Sequence, residues 1–354
     1  MKRNAKLIFV AAFFIICMIP IGCMGVVSTQ MSENRNLSEW PSFSLKDGSF
    51  NHEYFNELQT YIAEHFAFRT ELVEADSFFK YTLFHSPSDE QVILGKEDWM
   101  FFDATLEDYA GATMDTQQID EIAVKLSDVC EYIEQLGKTP LIMIVPNKNS
   151  IYEEYMPMRF GKKAEVTNLT LLQDAMQEKG IPYVDAAFIL EEGKKSDEVY
   201  LHQDTHWNNT GARLVLNEVY KAFGLENRYE LDHYTVEAVH EPDLYKMLFP
   251  TQEYYENQHI YEQANDFEYV GRVRSMDDLT IKTSTSQGNG KSILVYRDSF
   301  GRAMIPYMGE VFDQCLFNRS TPYDLSLVEQ TECDYVLLEI VERNLADLGE
   351  IDVP

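Results

Sequence analysis

Two short segments carry residue types suited to acyl-group chemistry. The first is Arg297-Asp298-Ser299-Phe300-Gly301, which follows the apolar stretch Ser292-Ile293-Leu294-Val295-Tyr296 and precedes a helical pattern. A serine at the carboxyl end of a buried parallel strand faces the crevice where α/β sheets bind ligands, and backbone N–H groups of the next turn can meet an oxyanion. A serine hydroxyl is a poor nucleophile near neutral pH and needs a base, usually an imidazole whose tautomer a carboxylate fixes. Asp204-Thr205-His206-Trp207 supplies both. Two residues apart on a loop, Asp204 and His206 can reach one crevice, with Trp207 as a wall against water. The expected relay is Ser299, His206, Asp204. Plainer readings exist: Asp298 or Ser299 as a helix cap, and His206 as a satisfied surface histidine. Asp204, His206 and neighbouring His202 are also possible metal ligands, but no further strong ligand cluster accompanies them, and neither metal nor cofactor is expected.

Placing these residues requires strands that end where helices begin, and the chain alternates such signals. Ile119 to Leu136 reads as an amphipathic helix closed by Gly137, followed by the buried strand Leu141-Ile142-Met143-Ile144-Val145. Val166 to Lys179 is a helix ended by Gly180, Tyr183-Val184-Asp185 opens a short strand, and Asn208 to Phe223 is a helix ended by Gly224. An irregular acidic stretch runs to Gly290. Ser292 to Tyr296, Cys315-Leu316-Phe317 and Tyr335 to Val341 complete the strands. Upstream, Asn51 to Lys80 has near-helical apolar spacing, and Gln91 to Phe102 suggests a hairpin. No internal repeat is visible.

Lys2, Arg3 and Lys6 precede an uncharged apolar run from Leu7 to Val27. At 1.5 Å per residue that run reaches roughly 30 Å, the depth of a bilayer core. Residues 1–27 are therefore read as an uncleaved membrane anchor, or failing that a signal segment, with the positive flank inside and the rest outside the cytoplasm. Ile21-Gly22-Cys23 faintly resembles a lipidation site, but Pro20 stands where leucine is usual. Residues 28–50 are polar and aperiodic, a linker, and 51–354 form the main domain. The formal net charge of −30 makes nucleic acid an unsuitable partner. The five cysteines show neither zinc spacing nor a disulfide framework.

Taken together, Glu64-His65-Phe66-Ala67-Phe68-Arg69, Gly95-Lys96-Glu97-Asp98-Trp99, Pro146-Asn147-Lys148, Asp204-Thr205-His206-Trp207, Arg297-Asp298-Ser299-Phe300-Gly301 and Glu339-Ile340-Val341-Glu342-Arg343-Asn344 resemble the SGNH hydrolase-like proteins of polysaccharide O-acetylation. These are the AlgX/AlgJ alginate O-acetyltransferase group and the DHHW proteins of Gram-positive bacteria. The resemblance implies an α/β, flavodoxin-like three-layer sandwich with a parallel sheet of about five strands, circularly permuted relative to other SGNH hydrolases. Counted in chain order from Leu141, the strands should lie side by side as fourth, third, fifth, first, second. The resemblance gives Ser299, His206 and Asp204 the triad roles. Arg297 replaces the glycine of Gly-Asp-Ser, and Glu342-Arg343-Asn344 does not spell the family's GxND, so the oxyanion and substrate groups are candidates only: the Ser299 N–H, then Asn344, Arg343, Asn147, Arg297 and Trp207. The implied reaction is acetyl transfer to a cell-surface or secreted polysaccharide, with a membrane-bound O-acyltransferase as partner. A carbohydrate acetylesterase with the same triad and a non-catalytic polysaccharide-binding scaffold are the alternatives. Tyr254, Tyr255 and Tyr261 are weaker candidates for a sugar groove.

Overall fold

The computed structural model describes residues 2–24, 38–45, 48–226 and 229–354. The chain divides into two units, residues 1–92 with 245–253, and residues 93–244 with 254–354. Residues 51–92, expected at the start of the main domain, thus fall in the smaller unit.

The smaller unit contains α1 (Lys2–Gly22), α2 (Tyr54–His65) and α3 (Arg69–Phe84). The apolar side chains of α1 from Leu7 to Ile21 are exposed. The expected anchor run continues to Val27, and residues 25–37, with part of the expected linker, lie outside the described residues. Among the described residues no helix is long and apolar enough to cross a membrane. Glu64 accepts the Ser38 N–H at 2.7 Å and His65 stacks on Tyr61, so both hold the entry segment together.

The larger unit begins with a hairpin of β1 (Val92–Leu94) and β2 (Met100–Phe102), then α4 (Leu106–Ala110) and α5 (Thr116–Gln135). A reciprocal Asp115 and Gln118 capping box starts α5. Next come β3 (Thr139–Val145), α6 (Lys148–Ile151), α7 (Asn168–Lys179), β4 (Tyr183–Val184), α8 (Ala186–Gly193) and α9 (Asn209–Ala222). Where the sequence suggested irregular chain, the structure has β5 (Tyr234–His240), α10 (Asp243–Leu248), β6 (Glu256–Tyr261), β7 (Glu268–Tyr269) and β8 (Thr280–Ser284). The chain ends with β9 (Ser292–Tyr296), a 3-10 turn at Phe300–Met304, α11 (Ile305–Gly309), β10 (Gln314–Asn318), α12 (Ser326–Gln330), β11 (Tyr335–Val341) and a 3-10 run at Glu342–Glu350.

The main sheet has seven strands in the order β4, β3, β11, β9, β10, β8, β7. The first five are mutually parallel, whereas β8 runs antiparallel to β10 and β7 antiparallel to β8. The sheet is therefore mixed and wider than the five parallel strands expected. The two added strands escaped notice because β8 offers a single apolar side chain, Ile281, and β7 has two exposed residues. β5 and β6 pair apart from it as an antiparallel hairpin.

Both faces of the sheet are covered, which explains the unbroken apolar runs of its central strands. Along β11, Leu337 and Val341 point into a core with Val215 and Val219 of α9 and Met308 of α11. Val336, Leu338 and Ile340 point the other way, against Leu126 and Val129 of α5 and Leu172 and Met176 of α7. Each such side chain, fully buried, contributes roughly 1.5–3 kcal/mol.

At the carboxyl ends of these strands, Glu342 joins β11 to β3. Its Oε2 accepts the Asn147 N–H at 2.8 Å and the Ser150 hydroxyl at 2.7 Å. Burial pushes this carboxyl up from 4.5 to about 7 in spite of those bonds. A raised folded pKa means that the ionised group opposes folding, so stability is lost as pH rises from about 4.5 to about 7. Glu342→Gln removes this dependence. Its thermal midpoint, measured by circular dichroism, is expected to gain on wild type across that window and hold a constant lead above it, worth roughly 1–3 kcal/mol. A lead that does not change with pH would contradict a raised Glu342.

Candidate active site

The segment 200–207 is a closed loop. Tyr200 and Trp207 bridge at its base, the Leu201 N–H bonds the His206 carbonyl at 3.2 Å, and the Asn208 N–H bonds the Val199 carbonyl at 3.1 Å. The first turn of α9 rests on this stem so closely that a Cβ on Gly211 would stand 2.4 Å from the Val199 carbonyl oxygen. Two buried side chains hold the loop's backbone. Lys148 Nζ donates to the carbonyls of Leu201 (3.1 Å), His202 (2.9 Å) and Asp204 (2.5 Å). Glu256 accepts the N–H groups of His202 (2.7 Å) and Gln203 (2.5 Å). Burial lowers Lys148 to about 8, although Glu256, Asp204 and Asp243 favour its charge.

On this loop Asp204 is 2 % exposed and accepts four N–H bonds. Oδ1 takes the His206 backbone N–H (2.8 Å) and ring Nδ1–H (2.6 Å). Oδ2 takes His240 Nε2–H and the Asp243 backbone N–H, both at 2.8 Å. Burial would raise this carboxyl, but the charge of His206 and the bonds from both imidazoles outweigh it and hold Asp204 well below the ordinary carboxylate range. With Nδ1 protonated toward Asp204, His206 Nε2 is left as an acceptor, and Ser299 Oγ lies 2.8 Å from it.

Ser299 follows β9 at φ −70°, ψ −25°, with no side-chain cap bond. Asp298 does the local backbone work. Its Oδ1 accepts the Phe300 N–H at 2.7 Å, and its Oδ2 accepts the Val341 N–H at 2.9 Å, which ties the turn to the end of β11. The capping role weighed for this pair therefore belongs to Asp298, and the Ser299 hydroxyl is free for His206.

Ser299 opens into a cavity of about 530 Å³ lined also by Asp277, Leu279, Asp298, Arg319, Thr321, Arg343 and Asn344. Of the expected oxyanion and substrate groups, Asn344 and Arg343 are on its wall. Arg343 lies over the Phe102 and Phe300 rings at 5.8 and 5.5 Å. The other three are not. Asn147 is fully buried, donating to Asp108 at 3.0 Å and through its N–H to Glu342. Arg297 is buried under the turn, donating to the carbonyls of Met276 (2.5 Å) and Asp298 (3.1 Å). A Cβ on Gly301 would stand 2.6 Å from Arg297 Cβ, so the turn passes directly over this side chain. Trp207 is 1 % exposed and donates Nε1–H to the Phe300 carbonyl at 3.0 Å, which makes it a strut between loop and turn instead of a wall. All three are polar groups held in the interior by hydrogen bonds, although Asn147 Oδ1 and Arg297 Nε are left without a partner, and sequence spacing does not distinguish such a group from one facing a ligand.

The possible metal set also changes. His202 stacks on Trp99 and pairs with Glu198 at 2.9 Å. Asp204, His206 and Asp243 bring ligand-type atoms within 4.8 Å of one another. Asp204 nevertheless has both oxygens filled by N–H donors, and Asp243 accepts the Thr205 N–H (2.8 Å) and hydroxyl (2.6 Å). This arrangement suits proton transfer at Ser299 better than metal ligation. His240, Asp243, Lys148 and Glu256 were not singled out from the sequence for this site. The first two flank Pro242 in a stretch without apolar periodicity, so only the fold shows what they hold.

A family model described as "SGNH hydrolase-like domain, acetyltransferase AlgX" matches residues 92–275, just over half of the chain, including Asp204, His206 and His240. The probable alginate O-acetylase AlgJ of Pseudomonas syringae pv. tomato is 22 % identical over 219 residues, covering 62 % of this chain and 52 % of that protein. That of Pseudomonas putida is 25 % identical over 131 residues, covering 37 % and 33 %. The chain thus aligns with between a third and about half of the length of these relatives. Among solved structures, Bacillus cereus PatB1 superposes with a TM-score of 0.57 at 14 % identity, covering 74 % of this chain and 99 % of that one. A DHHW family protein from Eubacterium siraeum gives 0.52 at 16 %, covering 73 % and 97 %. At these identities the superpositions speak for the fold alone. The family match extends over more than half of the chain and the shared fold agrees with it, and the chain belongs to the AlgX acetyltransferase family of SGNH hydrolase-like domains.

Proposed function

We propose that this chain is an O-acetyltransferase that acts outside the cytoplasm on a polysaccharide, through Ser299, His206 and Asp204. The observation that carries the proposal is the unbroken hydrogen-bond path from Ser299 Oγ through both ring nitrogens of His206 to Asp204. As Ser299 Oγ attacks an acetyl carbonyl carbon, its proton passes to His206 Nε2, and Asp204 stabilises the imidazolium. Collapse of the tetrahedral adduct returns that proton to the departing oxygen and leaves acetyl-Ser299. A sugar hydroxyl then gives its proton to His206 and attacks the acetyl carbon, and Ser299 Oγ leaves with the proton. The Ser299 N–H and Asn344, which shares its cavity, are our candidates for holding the oxyanion.

The alginate O-acetylase relatives support a polysaccharide acceptor. A membrane-bound O-acyltransferase is the proposed partner that delivers acetyl groups. Lys2, Arg3 and Lys6 before the apolar run support a cytoplasmic N-terminus with the catalytic unit outside. We read the fold as a circularly permuted SGNH hydrolase, because the strand bearing the nucleophile follows the acid-base loop along the chain.

Ser299→Ala is expected to alter stability by no more than about 1 kcal/mol, the worth of one hydrogen bond. It should lower turnover of a chromogenic acetyl ester, and acetyl transfer to an oligosaccharide, by about a thousandfold or more. Asp204→Asn should cost about as much, since an amide favours the wrong imidazole tautomer. A folded Ser299→Ala protein with full turnover in both assays would leave the scaffold reading. Acetate release that added oligosaccharide never diverts would make the protein an esterase.

Protease added to intact cells is expected to digest residues beyond the N-terminal segment while that segment stays with the membrane fraction. Protection of the whole chain, with recovery in the cytosol, would reverse the location.

A further inference from the structure

The Asp204 carboxylate is shared by two imidazoles, and only one of them faces Ser299. His240 stands at the end of β5, opposite Glu256 of β6, and donates Nε2–H to the Asp204 oxygen that His206 does not use. We propose that His240 is a positioning residue for the relay, holding the second oxygen of Asp204 through its Nε2–H so that the first stays aligned with the His206 ring. This rests on the triad reading given above.

The surroundings of His240 favour its charged form. Asp204 bonds to it, and Glu256 from β6 and Asp243 from the start of α10 both draw it toward protonation. Among the described residues, Lys148 from α6, on the Asp204 carbonyl, and His206 beyond the carboxylate also face this pocket. Burial opposes the charge on His240 but is outweighed by Asp204, so its pKa is raised. An imidazolium donates a stronger hydrogen bond than a neutral ring and leaves the pair with Asp204 neutral overall. Without it, Asp204 Oδ2 would keep only the Asp243 N–H, and the carboxylate could swing about its Cβ. A misplaced orienting group slows the chemical step more than it weakens binding.

Four proteins test this: wild type, His240→Ala, His240→Gln and Ser299→Ala. Glutamine puts an N–H where Nε2–H was, without a charge. The substrate is the chromogenic acetyl ester, and thermal midpoints are followed from pH 5 to pH 9. His240→Ala is expected to lower kcat by about ten- to a hundredfold with KM changed less than about twofold, and His240→Gln to recover part of that loss. A raised folded pKa gives stability that is fully present below the ordinary value of 6.5 and disappears as pH climbs through the folded value. The midpoint of wild type should therefore exceed that of His240→Gln most in acid, and the gap should close toward alkaline pH.

Wild-type kcat in either folded His240 variant, or a midpoint gap that does not change with pH, overturns the proposal. If His240→Ala does not fold, His240→Gln decides alone. Active His240 variants beside inactive Ser299→Ala would remove His240 from the mechanism and leave the triad standing, whereas an active Ser299→Ala would remove both.

Discussion

The site is organised around one buried anion. A carboxylate offers about four lone-pair positions, and Asp204 has an N–H on each of four directions. An isolated charge at this depth would cost several kcal/mol, and the filled shell is what makes ionisation tolerable there. Because two of the donors are backbone groups, at His206 and Asp243, the same carboxylate that orients the imidazole also folds its own loop and anchors the start of α10. Loop shape and imidazole tautomer are thus set by a single group. Lys148 and Glu256 complete this arrangement by taking the carbonyls and amides that Asp204 does not reach.

On the opposite side of the crevice the work is divided between neighbours. Asp298 satisfies the turn and locks it to β11, while the adjacent Ser299 keeps ordinary backbone angles and a hydroxyl left to meet His206. Beneath the turn, Glu339 accepts the Asp298 N–H at 3.0 Å, and burial pushes its carboxyl far up. The Trp207 indole crosses from the loop to the Phe300 carbonyl, so His206 and Ser299 belong to one braced assembly.

Much of this was legible in the sequence, for a physical reason. Strands buried on both faces must be apolar throughout, and Leu141–Val145, Ser292–Tyr296 and Tyr335–Val341 announce themselves that way. The helices around them start and stop within a few residues of the spans read from apolar spacing and from Gly137, Gly180 and Gly224. Ser299 stands out because it sits just past β9, and Asp204 and His206 because they share the short loop that leads into α9. What stayed hidden depends on exposure. β5 alternates apolar and polar residues from Tyr234 to Ala238 but is exposed along nearly its whole length and borders no buried run, so the strand that delivers His240 looked like loop. Arg297, Asn147 and Trp207 have the chemistry of ligand-facing groups but spend it on buried carbonyls and carboxylates. The helix expected after Ser299 is instead a 3-10 turn followed by a short helix with proline in its first turn, a change of winding that apolar spacing does not encode.

The order of strands has a consequence for how the molecule is made. β3 and β4 are synthesised early and sit side by side, but the other edge of β3 is meant for β11, whose first residue Tyr335 pairs with Thr139. The central strand β9 also arrives late. Until β11 is made, the nascent chain therefore displays an apolar strand with one row of unpaired N–H and C=O groups. Contacts of such high sequence separation form slowly, and an open edge of this kind is a template for aggregation. A growing polypeptide of this topology is a natural client for a holding chaperone until its last strand is released.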